Sequence, residues 1–151
     1  MNGRPMYETD ADLARERQAV SVLCDLYKCK AIKLPISYGL DYSLIKDGRV
    51  IAMVEIKCRT NSSQAYDTIF VSVLKRMKAL EMRRAAGIPT LFAPCFTDGV
   101  FVIDFNEKPD EVTYEGRMDR MDKADQEPVI HYKVERLAFV GNVVSEQQIV
   151  N

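Results

Sequence analysis

Three charged residues stand within apolar stretches of the first half of the chain, and their types suit hydrolytic chemistry. Asp41 lies within residues 39–45, and Glu55 and Lys57 are separated by one residue within residues 50–58. Burying such a charge is costly unless it is paired or binds a metal. Carboxylates can hold a divalent ion that activates water, and a lysine can neutralise the charge that develops on a phosphate. These residues therefore predict metal-dependent hydrolysis of a phosphodiester bond.

Two strands joined by a tight turn are predicted to bring these residues together. Both stretches are apolar and rich in β-branched side chains, and the Asp47-Gly48 pair between them is typical of a hairpin turn. If Asp41 pairs with Glu55, the two carboxylates share a face, whereas a strict two-residue turn would place them on opposite faces. We therefore predict a three-residue turn over residues 47–49 or a β-bulge.

Side chains alternate along the second strand, which separates a charged face from an apolar one. Glu55 and Lys57 are two residues apart and therefore share a face. The alternative interpretation is that they form only a cross-strand salt bridge with Asp41 on a solvated face. The charged face is predicted to include Ile51, Met53 and Arg59, and the apolar face to include Val50, Ala52, Val54, Ile56 and Cys58.

A helix is predicted over residues 10–29, ahead of these strands. Thr9 and Asp10 are suitable N-cap residues. Glu16 falls on the apolar stripe of this helix, and its carboxylate is therefore expected to point toward the core or the sheet. The alternative is that Glu16 pairs with a neighbouring arginine at the edge of the stripe. The stripe includes Leu13, Val20, Leu23 and Tyr27.

A second helix is predicted over residues 67–86, ending at Gly87, with Pro89 as a stop. Its basic residues form either an ordinary solvated face or a surface that contacts phosphates. Lys75, Ser72 and Arg83 are predicted to lie opposite its buried stripe. That stripe is predicted to be Phe70, Val73, Leu74, Met77 and Leu80, and the basic residues are Lys75, Arg76, Lys78, Arg83 and Arg84.

The remaining segments alternate between strands and polar loops. Pro35 predicts that the strand at residues 31–36 lies at the edge of the sheet. The predicted order is a loose arm at 1–8, an edge strand at 31–36, a polar loop at 59–64, strands at 90–96 and 100–105, a polar loop with a short helix at 106–128, and one or two strands at 129–140.

The motif and the order of elements resemble the PD-(D/E)XK nuclease superfamily, which includes restriction enzymes and Holliday-junction resolvases. Glu16 matches the glutamate of the family's first helix, Asp41 its metal-binding aspartate, and Glu55 with Lys57 its E-x-K element. Leu40 stands where the family name has proline. The resemblance covers residues 8–105.

The resemblance implies an α/β (α+β) fold with a restriction-endonuclease-like core. This core has a mixed central sheet flanked by helices in the order αβββαβ, followed by C-terminal strands. Residues 1–151 would form a single nuclease-like domain, with residues 106–151 as a C-terminal extension of the core.

The resemblance also implies a DNA nuclease that leaves 5′-phosphate and 3′-hydroxyl ends. Hard oxygen ligands suit Mg²⁺ or Mn²⁺. The expected metal ligands are Glu16, Asp41, Glu55 and the backbone carbonyl of Ile56. Asp41, Glu55 and Lys57 are the expected catalytic residues, with Lys57 stabilising the charged phosphate. The alternative function is a non-catalytic nucleic-acid-binding module on the same fold.

Contacts to nucleic acid are predicted from the second helix and from the loop that follows the E-x-K strand. In the family, residues of this helix often reach the active site, and Lys75 is the candidate here. Phosphate contacts of this kind are sensitive to salt and blind to sequence. The loop would hold a phosphate or a flanking base, or simply turn the chain. The predicted contact residues are Lys75, Arg59, Ser62, Gln64 and Arg76.

Composition narrows the class of protein. The 151 residues are 47% hydrophobic and 28% charged, with a formal net charge of −1, which argues against a uniformly basic DNA coat. No apolar run is long enough to span a membrane, so we expect a cytoplasmic protein, in the host cytoplasm if phage-encoded.

The four cysteines fit no zinc pattern and are interpreted as reduced thiols. The chain has a single histidine, His131, which makes Ser/His or Cys/His catalysis a poor fit. A homodimer would suit an enzyme that cleaves both strands of a duplex or junction.

Overall fold

A computed structural model describes residues 9–116 and 126–143 of the chain. A six-stranded mixed sheet has the order β1-β2-β3-β5-β6-β9, and a second, antiparallel sheet has the order β4-β8-β7. In the six-stranded sheet β3 and β5 are parallel, and the other neighbours are antiparallel. The elements are α1 (Asp10–Tyr27), β1 (Lys30–Lys33), β2 (Tyr42–Lys46), β3 (Arg49–Cys58), β4 (Thr68–Ser72), α2 (Val73–Ala86), β5 (Thr90–Phe96), β6 (Gly99–Asp104), β7 (Glu111–Gly116), β8 (Gln126–Lys133) and β9 (Ala138–Gly141).

The first helix forms as predicted and covers one face of the six-stranded sheet. The Thr9 hydroxyl accepts a hydrogen bond from the N–H of Asp12, whose carboxylate accepts one from the Thr9 N–H. This reciprocal capping satisfies two of the free donors at the start of the helix. The helix packs its buried side chains on the apolar face of β3, and the cluster includes Ala19, Val20, Leu23, Ala52, Val54 and Ile56.

The β2–β3 hairpin contains the predicted bulge and not the three-residue turn. Asp47 and Gly48 form a two-residue turn with φ of 52° and 74°, so Lys46 pairs directly with Arg49. Left-handed backbone at both positions matches the twist of a hairpin and favours glycine. The register then shifts between Leu44, which faces Ala52, and Ile45, which faces Val50. One extra residue, Ile51, is accommodated in β3.

The bulge restores the register that the sequence required but changes two side-chain positions. Ser43 pairs with Met53, as predicted, so Asp41 approaches β3 on the side of Glu55. Ile51 packs against the apolar cluster under α1, and Val50 is exposed. The predicted positions of Val50 and Ile51 are therefore wrong, because the extra residue reverses the alternation at the start of β3.

The edge strand is shorter than predicted. It ends at Lys33, because Pro35 precedes a 3₁₀ turn over Ile36–Tyr38. Proline has no N–H to donate to the sheet. The backbone N–H of Leu34 still bonds to the carbonyl of Asp41, at 2.8 Å, which ties the end of β1 to the start of β2.

The prediction that the second helix begins near residue 67 is wrong. Thr68–Ser72 forms strand β4, which pairs with β8 in the second sheet. This run is β-branched and aromatic, so the partner strand selects the extended form. Ser72 then caps α2 by accepting a hydrogen bond from the N–H of Leu74. The helix ends at Ala86, and Gly87, with φ of 70°, forms its C-terminal cap as predicted.

The predicted faces of the second helix are also wrong. Leu74 and Met77 are 65% and 60% exposed, whereas Ala79 is fully buried. The strand fixes where the helix begins, and this rotates its inward face away from the predicted stripe. Lys75 therefore faces the sheet, and Arg83 pairs with Asp104 at 2.9 Å. Of the five basic residues of this helix, Arg84 is exposed and the other four are partly buried.

The C-terminal part contributes more strands than predicted. Residues 111–116 form β7 where a loop with a short helix was predicted, and residues 117–125 of that predicted loop lie outside the described residues. Strands β8 and β9 confirm the predicted closing strands. The arm at 1–8 also lies outside the described residues.

A second apolar cluster between the sheets includes Phe92, Phe105 and Tyr132. Among the helices in the described ranges, none has the length and apolarity needed to cross a membrane.

Candidate active site

Asp41 lies immediately before β2 and is fixed by the backbone of β3. Its N–H donates to the carbonyl of Val54 at 3.0 Å, and its Oδ2 accepts from the N–H of Ile56 at 2.7 Å. The main chain of β3 therefore holds the Asp41 carboxylate beside Glu55, which lies between Val54 and Ile56. This arrangement produces the pairing of carboxylates that the sequence predicts.

Glu55 is buried with an unsatisfied oxygen. The residue is 9% exposed, and Oε1 has no hydrogen-bond partner. Lys75 forms an ion pair with this oxygen, with its Nζ 3.3 Å from Oε1 but without the geometry of a hydrogen bond. Burial, and then the negative charge of Asp41, raise the pKa of the Glu55 carboxyl to about 8. A buried carboxylate oxygen without a hydrogen bond is costly, so this position favours an additional cation or a proton.

Lys33 connects two of the predicted metal ligands and was not predicted to be part of the site. Its Nζ lies 2.9 Å from Glu16 Oε2 and 3.5 Å from Asp41 Oδ1. The ammonium group thus occupies a position between the two carboxylates where positive charge is favoured. The sequence signal was weak, because Lys33 reaches this place only through its pairing with Tyr42 across the β1–β2 register.

Lys57 lies on the same side of β3 as Glu55 and contacts the second sheet. Its ammonium group donates to the carbonyl of Phe70 and lies 3.9 Å from the centre of the Phe70 ring. Burial, and then the positive charge of Arg59, lower the pKa of Lys57 to about 7. A lysine whose pKa lies near 7 can carry or release its proton readily at physiological pH.

Arg59 continues the charged face beyond Lys57. Its guanidinium lies 4.9 Å from the centre of the Phe70 ring, which therefore contacts two cations. Burial lowers the pKa of the Arg59 guanidinium. The carbonyl of Arg59 accepts a hydrogen bond from Arg15 of α1 at 2.9 Å, which anchors the start of the loop.

The loop after β3 is held by its own hydrogen bonds and by Asp98. Ser62 Oγ accepts from the N–H of Gln64 at 3.2 Å, and Gln64 Nε2 donates to Ser63 Oγ at 3.3 Å. Asp98 accepts from both the N–H and the hydroxyl of Ser63. The side chain of Gln64 remains on the exposed surface. The predicted contacts of Ser62 and Gln64 with nucleic acid thus remain predictions.

Lys75 and Arg76 are neighbours on α2 but have different partners. Lys75 approaches Glu55 and also donates to the carbonyl of Gly39 at 2.9 Å. Gly39 has φ of 79°, and a Cβ there would lie 2.8 Å from the Lys78 side chain, so both its backbone conformation and its packing against α2 favour glycine. Arg76 instead donates to the carbonyl of Phe105 at 3.0 Å and joins the helix to the end of β6.

The carboxylate oxygens of the site are donors that suit a divalent metal ion, although they are not gathered into a complete set of ligands. Among residues 9–116 and 126–143, no three His, Cys, Asp or Glu side chains are grouped as a metal site. Glu55 nevertheless presents an unsatisfied buried oxygen beside Asp41. Lys33 and Lys75 supply positive charge at the same carboxylates. Carboxylate oxygens with no histidine or thiolate ligand are typical of Mg²⁺ or Mn²⁺ sites.

Comparisons with known proteins identify the fold and the family. Among solved structures, the fold is similar to Hjc, a Holliday junction resolvase from the archaeal hyperthermophile Archaeoglobus fulgidus, with a TM-score of 0.50. The match has 15% sequence identity and covers 78% of this chain and 82% of Hjc, and it shows the restriction-endonuclease-like fold alone. No curated protein matches the sequence. The family model described as "Phage putative PDDEXK endonuclease" matches residues 2–140. The chain therefore belongs to this PD-(D/E)XK endonuclease family.

Proposed function

We propose that this protein is a deoxyribonuclease that requires Mg²⁺ or Mn²⁺ and leaves 5′-phosphate and 3′-hydroxyl ends. One observation carries the proposal: the buried Glu55 carboxyl has an unsatisfied oxygen beside Asp41, on the same side of β3 as Lys57. Lys75 supplies positive charge to this oxygen but no hydrogen bond, so the acceptor remains available to a further cation. A hydrolytic metal site does need carboxylate oxygens directed at an added cation.

The carboxylates of Glu16, Asp41 and Glu55 would hold the ion. When bound, a divalent ion lowers the pKa of water and neutralises charge on a phosphate. The hydrogen bond from Ile56 N–H keeps Asp41 Oδ2 in place, so this ligand is oriented before any metal arrives. A preorganised ligand costs less entropy to use than a mobile one.

Lys57 would act on the phosphate. Its pKa of about 7 in the absence of substrate arises from burial and from Arg59. A phosphate anion beside Nζ would favour the charged form, because opposite charges raise the pKa of an amine. The charged Lys57 would then neutralise the additional negative charge of the transition state. Lys75, whose side chain is 39% exposed, is available to contact a flanking phosphate.

The test is a cleavage assay on labelled DNA. A panel of single-stranded, duplex, flap and four-way-junction DNA would be incubated with Mg²⁺, with Mn²⁺ and with EDTA. We expect cleavage of at least one substrate with either metal and none with EDTA. The product ends should be ligatable, since DNA ligase joins a 5′-phosphate to a 3′-hydroxyl. Cleavage that persists in EDTA would contradict the metal requirement.

A non-catalytic nucleic-acid-binding module is the second candidate. The ion pairs of Lys33 with Glu16 and Asp41, and of Lys75 with Glu55, already neutralise the carboxylates and favour this candidate. Such a module would bind DNA in EDTA, without a need for a divalent ion, and would cleave none of the panel. A nuclease with the proposed site would cleave, so the same assay separates the two functions.

A further inference from the structure

A pocket of about 410 Å³ opens between the loop after β3 and the second sheet. Its walls include Arg59 and Asn61 from the loop, Tyr66 ahead of β4, and Thr68 and Phe70 on β4. This volume lies within the range of about 300–1,000 Å³ that is usual for small-molecule sites. The pocket is thus large enough for one nucleotide and too small for a base pair with its backbone.

The pocket shares Phe70 with the candidate active site. The carbonyl and the ring of Phe70 contact the ammonium group of Lys57, and the ring also contacts Arg59. A group bound in the pocket would therefore be a direct neighbour of the phosphate that Lys57 contacts. This continuity indicates part of the same substrate and not an unrelated metabolite.

Aromatic side chains give the pocket surfaces on which a flat ring can stack. Tyr66 is 70% exposed, although it lines the pocket. Phe96, which is buried, also lines the pocket. Stacking on exposed aromatic rings is the usual way in which proteins hold single unpaired bases. An exposed tyrosine at the mouth of an aromatic pocket fits this mode of binding.

The polar groups in the pocket include Arg59 and a carboxylate, Glu115, that is suited to the edge of a base. Glu115 lines the pocket and accepts a hydrogen bond from Thr113 at 3.1 Å. Its carboxylate would repel a phosphate but can accept hydrogen bonds from the exocyclic amines of cytosine or adenine. His131 lies between the hydroxyls of Thr68 and Thr113, at 2.8 and 2.7 Å, which holds the wall rigid.

We propose that this pocket binds one unpaired or extruded nucleobase of the DNA, adjacent to the scissile phosphate, with Tyr66 stacked on it. The inference rests on the proposed nuclease function and names the substrate feature that the enzyme selects. A base within an intact duplex cannot enter a pocket of this kind without leaving the stack. The preferred substrate therefore carries an unpaired nucleotide at the site of cleavage.

The test is equilibrium binding measured by fluorescence anisotropy in EDTA, so that it does not depend on cleavage. Two labelled duplexes differ at one position only: the first has a single unpaired adenosine, and the second an unpaired abasic residue. We expect the wild type to bind the adenosine duplex about five- to a hundredfold more tightly, as is typical of one stacked base. Tyr66→Phe should retain this preference, and Tyr66→Ala should lose it.

The matched control is Tyr114→Ala. Tyr114 is a 73% exposed tyrosine on β7, outside the pocket lining, so its removal should leave the preference unchanged. Equal binding of the two duplexes by the wild type, or no binding of either at low salt, would overturn the proposal. So would a preference that survives Tyr66→Ala.

A parallel cleavage reaction with Mg²⁺ on the same duplexes separates this proposal from the nuclease function. Base-dependent binding without cleavage would support the pocket and contradict the nuclease. Cleavage at equal rates on both duplexes, without base-dependent binding, would support the nuclease and overturn the pocket. Cleavage at a fixed distance from the unpaired adenosine would support both.

Discussion

Asp41 Oδ2 accepts a hydrogen bond of 2.7 Å from the backbone N–H of Ile56, the residue between Glu55 and Lys57. A single backbone contact therefore aligns all three parts of the motif. Because the side chains on either side of Ile56 share a face, fixing this amide to Asp41 also fixes the two charged groups beside it. The geometry depends on the β2–β3 register and hence on the bulge.

Removal of the Lys33 charge should strengthen metal binding. Lys33 pairs with both Glu16 and Asp41, so its ammonium group competes with an incoming cation. We expect Lys33→Met to bind Mg²⁺ severalfold more tightly than the wild type in isothermal titration calorimetry. Lys30→Met, at an exposed position on the same strand, is the control. Weaker binding by Lys33→Met would show that Lys33 supports the site and does not compete for it.

Glu55 should make the stability of the metal-free protein depend on pH. Burial and Asp41 raise its pKa from 4.5 to about 8 in the folded state. Between these values the folded protein holds a proton that the unfolded chain releases, so stability is highest below pH 4.5 and declines up to about pH 8. Glu55→Gln removes this decline. We expect Glu55→Gln to match the wild type near pH 5 and to exceed it by about 1–3 kcal/mol near pH 8.

The measurement is urea unfolding in EDTA across this pH range, with Glu81→Gln as the control at an exposed site. Lys57 has the opposite slope, because its lowered pKa of about 7 makes stability rise with pH from about 7 toward 10.5. The charge of Glu55 itself raises the pKa of Lys57, so the two slopes overlap near pH 8 and the difference between the variants at pH 5 to 7 reports most directly on Glu55. A constant difference at every pH would contradict the raised pKa.

Lys57→Ala should impair cleavage far more than binding. Loss of one charge-stabilising group in an active site typically reduces kcat by about 10²–10³-fold. DNA affinity in EDTA should change only severalfold, because a single phosphate contact contributes little to total binding. Single-turnover cleavage and anisotropy measure the two effects. Lys108→Ala, at an exposed position, is the control, and equal losses in rate and affinity would assign Lys57 to binding.

Gly48→Ala should destabilise the protein without affecting the chemistry. Gly48 has φ of 74°, and an added Cβ would meet no atom within 4 Å, so the cost is conformational and not steric crowding. We expect a loss of about 1 kcal/mol in unfolding free energy. Thermal unfolding and the cleavage rate at 25 °C would be compared with the wild type. A stabilised variant would contradict the left-handed turn that accompanies the bulge.

Local pattern was sufficient to predict the motif and the α1 packing. Strand alternation placed Glu55 and Lys57 on one face, and the conflict between Asp47-Gly48 and the required register predicted the bulge. The same argument found Glu16, because the stripe of an amphipathic helix is a local property. These features depend on neighbours within a few residues, which a sequence displays directly.

Features that depend on distant partners were not predicted. Residues 68–72 have the composition of either a helix start or a strand, and only pairing with β8, about sixty residues later, decides for the strand. That strand sets the phase of α2 and places Lys75 at Glu55. The family resemblance indicated Lys75 for the active site, whereas helical periodicity alone placed it on the side away from the core. Lys33 enters the site through an edge-strand pairing, which no periodic pattern indicates.

The most direct test of the central claim is the cleavage rate of Asp41→Asn with Mg²⁺. This substitution keeps the size of the side chain and removes the charge that would bind metal. The control is Asp47→Asn in the hairpin turn, where the left-handed backbone accepts asparagine. If Asp41 and Glu55 hold the metal, Asp41→Asn should lose at least about a hundredfold in rate and Asp47→Asn should match the wild type. An Asp41→Asn rate equal to the wild type would contradict the assignment of the active site.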